Sequence, residues 1–205
     1  MPTTIAARPH TDAGSGFIDL GDDGPKERGK PNPVCVQMEF EKIAIPALEN
    51  PFVVETFFSV RAKHRLLAEV DPAFLRIFGK QVIGPREVKK VSRYAVVRDA
   101  DANRLAGEFA VPITLNCYDV AELLLRSTLR ERGFGGLDDS PMQPSGKPRS
   151  NIFCLADDKG DEYWIYLFRI RASWHLLMPK DGMIFGEYGK VFVPHGSSLR
   201  SHSFR

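Results

Sequence analysis

Apolar residues occupy every even position from Trp164 to Met178, while the odd positions turn polar and basic through Arg169, Arg171, Ser173 and His175. A period of two is the signature of a strand with one buried face. Sixteen residues exceed the usual strand length, so this stretch is expected to bend near Ala172–Ser173. Val34, Val36, Met38 and Phe40 alternate with Cys35, Gln37, Glu39 and Glu41, predicting a strand with an acidic face. "PFVVETFFSV" (51–60) is apolar on both faces and reads as a central strand, and "RAKHRLLAEV" (61–70) is compatible with helix. In "DPAFLRIFGK", Asp71 is placed to cap a helix that Pro72 opens and Gly79 stops.

"RYAVVRD" and "RLAGEFAVPITL" flank residues 100–103 as a hairpin in outline. Asp119 and Glu122 have capping-box spacing ahead of the stripe Val120, Leu123, Leu124 and Thr128, which Gly133 closes. Residues 133–150 carry four Gly and three Pro and form a long loop. "NIFCLA", the Trp164–Met178 stretch and "MIFGEYGKVFV" then predict an antiparallel meander.

These elements define an α+β fold. The expectation is a curved, mainly antiparallel sheet of about six or seven strands, with two or three helices packed on one side. Residues 1–33 lack sustained periodicity and read as a disordered tail. The domain is expected over 34–195, with 133–150 as its mobile loop and 196–205 as a second flexible tail.

Composition narrows the class. The chain has 205 residues, 43% hydrophobic and 26% charged, with fourteen Phe to build a core. A formal net charge of +2 excludes general attraction to nucleic acid or membrane, so any anion-binding role must come from local asymmetry. No apolar run is long enough to span a bilayer, and the N-terminus lacks the apolar core of a secretory signal, which together predict a cytoplasmic protein without membrane contact. Cys35, Cys117 and Cys154 are widely spaced within apolar segments, as buried reduced thiols would be.

The charge is asymmetric. Between Arg61 and Arg98 stand ten Lys or Arg against three Asp or Glu. Within this run Arg61, Lys63, Arg65, Arg86, Lys89, Lys90 and Arg93 are candidate contacts to nucleic acid or another anion. Arg169, Arg171 and His175, on one face of a continuous strand, would add an anion clamp, since guanidinium forks suit phosphate. The competing expectation pairs these three with Gln37, Glu39 and Glu41 across neighbouring strands.

Established catalytic patterns are missing from the sequence. "SGKPR" fails the phosphate-loop pattern, "GFGG" does not open a helix, and the five His show no metal-ligand spacing. No cofactor and no metal are therefore expected. The sequence points to a non-enzymatic binding or regulatory protein whose basic surface meets nucleic acid or an acidic protein. Two alternatives remain: an enzyme acting on phosphate esters or nucleic acid through the Arg/His clamp, and an adaptor using its tails, with "GFIDL" (16–20) as a docking motif.

Overall fold

The computed structural model describes residues 34–62, 66–128, 136–138, 149–180 and 182–200, all within one compact unit spanning Pro33–Arg205. The predicted N-terminal tail and the "GFIDL" motif lie outside the described residues, as do Lys63, Arg65 and most of the 133–150 loop.

An eight-stranded mixed sheet organises the molecule. Its strands are β1 (Val36–Ile45), β5 (Lys89–Val96), β10 (Lys190–Pro194), β7 (Asn151–Ala156), β8 (Glu162–Ile170), β9 (Ser173–Leu177) and β3 (Leu67–Val70), adjacent in that order, with β6 (Thr114–Leu115) beside β7. β2 (Phe52–Val53) and β4 (Val82–Ile83) form a separate antiparallel pair. The helices are α1 (Val54–Phe58), α2 (Pro72–Phe78), α3 (Ala102–Gly107) and α4 (Cys117–Thr128).

The mixed α and β content and the mainly antiparallel pairing follow the sequence pattern, and several details differ. The sheet is open and has eight strands where six or seven were expected. Parallel pairing occurs between β10 and β7, β6 and β7, and β3 and β9. Among the described residues there are four helices, and they cover both faces. α1, α2 and α4 bury Phe58, Phe74 and Leu124 against Phe153, Leu167 and Phe192. α3 lies on the opposite face, where Leu105 and Phe109 pack with Tyr94, Ile152 and Val193.

Local causes explain the other departures. Residues 51–60 do not continue as a strand because Val54 and Phe58, four apart, turn inward together as α1, where Phe58 meets Phe74 with ring centroids 5.1 Å apart. Residues 67–70 form β3, not helix, because Leu67 and Val70 complete the edge beside β9. α3 replaces the second arm of the expected hairpin; Asp101 caps it by accepting from the Arg104 N–H at 2.8 Å.

α4 begins three residues earlier than its sequence suggests. The Asn116 side-chain oxygen accepts from the Asp119 N–H, and the Asp119 carboxylate accepts from the Asn116 N–H, both at 3.1 Å. This reciprocal pair is a capping box in which Asp119 is the inner member. Asp71 caps α2 as its position implies, accepting from the Ala73 N–H at 2.8 Å. The C-terminal segment does not hang loose from residue 196. Ser198 and Arg200 exchange backbone hydrogen bonds with Ala110 and Glu108, and Leu199 bridges to Phe109.

Candidate functional site

The bend expected near Ala172 is a complete reversal. β8 ends at Ile170, Arg171 adopts φ 56°, and β9 returns from Ser173. Phe168 then pairs with His175 and Arg169 with Trp174, so even positions of β8 share a face with odd positions of β9. Arg169 and His175 consequently lie on opposite faces of the sheet, and Arg171 sits exposed at the tip between them. The structure does not assemble the three-residue clamp. The His175 ring stacks on Phe168 at 5.3 Å, and its Nδ1 lies 3.0 Å from the Glu69 carboxylate.

The basic run is divided in the same way. Arg86 and Lys89 both meet Asp119, whose side chain is 0% exposed; Lys89 Nζ lies 2.9 Å from it. The Arg86 guanidinium also stands over the Tyr118 ring, 4.8 Å from its centroid. The Tyr118 hydroxyl donates to the Ala47 carbonyl at 3.2 Å. This cluster fastens the segment before β5 to the first turn of α4.

Arg93 and Lys190 converge on Glu39, at 3.1 and 2.5 Å, across β1, β5 and β10. Burial draws the Arg93 guanidinium down from its ordinary value, opposed by the charges of Glu39 and Asp138. Glu39 therefore neutralises cations of β5 and β10, not those of the Arg169–His175 stretch. Lys90 is exposed at the start of β5, and its carbonyl accepts from the His195 N–H. Arg61, Arg76 and Lys80 are exposed around α1 and α2, and among the described residues none of the three forms an ion pair.

The thiols offer no nucleophile. Burial first, then the neighbouring Glu108, pushes Cys35 up to about 12; burial and Glu162 push Cys154 to about 12; burial and Asp119 raise Cys117 as well. Thiols so shifted stay protonated at neutral pH. Among the described residues no group of three or more His, Cys, Asp or Glu is placed to hold a metal ion, and no helix is long and apolar enough to cross a membrane.

A cavity of about 400 Å³ opens where the start of α3, the start of β8, the end of β9 and the segment 182–185 meet. Its walls include Trp164, Tyr163, Phe185, Met178 and Met183, with Asp101, Glu162 and Lys180 as the charged members. Trp164 is half-buried, and its ring lies 6.2 Å from that of Phe185. The sequence pattern placed Trp164 on an apolar face and Asp101 in a turn, but nothing in it joined them. Their convergence depends on pairing between Ala100 and Phe185, 85 positions apart in the chain.

No family model matches the chain, and no curated protein or solved structure matches it.

Proposed function

We propose that this is a binding protein for nucleic acid, engaged through the cations of the α1–α2 layer. The observation that supports this reading is the contrast within the basic run. Arg86, Lys89 and Arg93 are each matched to a carboxylate, whereas among the described residues Arg61, Arg76 and Lys80 are exposed without one, with Glu55 the exposed acid of α1. Arg76 lies in the last turn of α2, and Lys80 follows two residues beyond its end. Cations left unmatched at a surface gain most from displacing the counterions of a phosphate backbone. Lys90 and Arg171 are likewise exposed and, among the described residues, form no ion pair, but they belong to other parts of the sheet.

Fluorescence anisotropy with a short oligonucleotide at about 50 mM salt should give a dissociation constant in the micromolar range. The logarithm of affinity should fall with the logarithm of salt at a slope of about −2 to −3, as expected for three phosphate contacts. The triple variant Arg61→Glu, Arg76→Glu, Lys80→Glu should abolish binding while retaining the native circular dichroism. Absence of binding to the native chain at that salt would overturn the reading. Equal binding to a polyglutamate of matched charge would assign the surface to an acidic protein instead.

A further inference from the structure

The cavity beside Trp164 combines three features: aromatic and thioether walls, enough volume for a small molecule, and two carboxylates that outnumber the one cation in its lining. Asp101 uses one oxygen to cap α3, accepting from the Arg104 N–H, and Glu162 uses one to accept from the Thr114 hydroxyl at 2.8 Å. Neither forms an ion pair among the described residues. Lys180 lines the same cavity, yet it is exposed and bonds to neither acid, so the negative groups outnumber it and stay unneutralised. Asp119 and Glu39, by contrast, each hold two cations.

We infer that this cavity binds a small organic cation, an ammonium carried on an apolar or aromatic body. The chemistry is complementary at each point. Trp164 supplies an aromatic surface that attracts a cation through its ring quadrupole and an apolar body through area burial. Met178 and Met183 adapt to the ligand's shape, because an unbranched thioether has several rotatable bonds. Asp101 and Glu162 each retain an oxygen for a charge-assisted hydrogen bond from the ammonium. A volume of about 400 Å³ lies in the range of small-molecule sites, which are mostly apolar with a few convergent polar groups. An anion of the same shape would meet two carboxylates and be rejected. The ligand therefore differs in sign from the one proposed for the α1–α2 surface, and the two readings stand or fall separately.

Phenethylammonium and 3-phenylpropionate make the test pair, titrated by calorimetry against the full chain. They share an aromatic body and differ in the sign of the charged end. Phenethylammonium should bind saturably below about 10 mM, and phenylpropionate at least tenfold more weakly. The double variant Asp101→Asn, Glu162→Gln should weaken phenethylammonium at least tenfold. Both substitutions keep the acceptor oxygen that each acid uses within the protein, since asparagine caps a helix as aspartate does. A native melting temperature in the double variant would show that any loss is not unfolding, and Trp164→Leu supplies an independent variant that removes the aromatic wall. No saturation by phenethylammonium, equal binding of the two probes, or unchanged binding by the double variant would each overturn the proposal.

Discussion

Asp119 on one side of the molecule, and Asp101 with Glu162 on the other, are carboxylates set against apolar surface, and the protein treats them in opposite ways. Asp119 has no exposure and receives two cations together with the Asn116 N–H. Asp101 and Glu162 reach solvent, and each receives one neutral donor. A fully buried carboxylate loses its hydration and is tolerated only when paired and hydrogen-bonded. A carboxylate at a cavity mouth keeps its water, so folding does not require a cation beside it. The difference separates charges that assemble the chain from charges left over for something else.

The largest expected effect tests that separation directly. Asp119→Ala removes the inner member of the α4 capping box and leaves Arg86 and Lys89, partly buried at 20% and 30% side-chain exposure, without a counter-charge. A loss of about 3 kcal/mol is expected, lowering the melting temperature by roughly 6–12 °C. The Asp101→Asn, Glu162→Gln variant should stay within about 0.5 kcal/mol of the native chain. Equal losses in calorimetric melting would mean that the cavity acids are structural too, and the contrast would collapse.

The sequence revealed one of these regions better than the other. Asp119 was visible as part of a helix start because capping is local: the partners sit three residues apart and the apolar stripe follows at once. Its cations were visible only as a charge run, since their match to Asp119 spans about thirty positions and a fold-dependent approach of β5 to α4. The apolar run 51–60 reads as a strand, yet Val54–Phe58 within it is helix, because continuous hydrophobicity carries neither period. Near Arg171 a bend was expected, but the full reversal was not, for a sharper reason. Two-residue reversals favour Gly or Asn where φ is positive, and here an arginine takes φ 56°, so the usual turn signal is missing. Reading through that turn kept Arg169 and His175 on one face, when the reversal moves them to opposite ones. The cavity left no local trace, being built from four segments that are brought together by the fold.

The thiols sharpen the comparison, because each region contains one. Cys117 is raised by burial and by Asp119, and Cys154 by burial and by Glu162, to about 12. Both should resist a disulfide reagent at pH 8 in the folded chain and react fully in denaturant. A folded value above the ordinary 9.0 means that the native state holds its thiol proton more tightly than the unfolded chain. The resulting stabilisation is complete below pH 9 and is lost as pH rises toward 12, at up to about 1.4 kcal/mol per pH unit for each thiol. With increasing pH, Cys154 should react before Cys117, since it lies on the cavity side of the sheet, with Trp164. The reverse order, followed by peptide mapping of the labelled protein, would mean that the Asp119 cluster opens more readily than the cavity wall.

The smallest effects belong to carboxylates between the two extremes, and they decide whether exposure is the governing variable. Glu39 is 28% exposed and neutralises Arg93 and Lys190, whose side chains are only 13% and 12% exposed. Glu39→Gln removes the carboxylate that both cations meet, leaving Arg93 the charge of Asp138, and should cost about 1 kcal/mol. Glu69 is 56% exposed and meets His175 alone. The His175 ring is held by its stack on Phe168 whether or not the acid is present. Glu69→Gln should therefore cost only about 0.3 kcal/mol, as for an exposed ion pair that water and salt already screen. In urea titrations the losses should fall in the order Asp119, Glu39, Glu69, following the exposure of each carboxylate. A Glu69 loss as large as that of Glu39 would show that the number of partners and the exposure of the acid do not set the scale, and the acids lining the cavity would then need to be judged by another criterion.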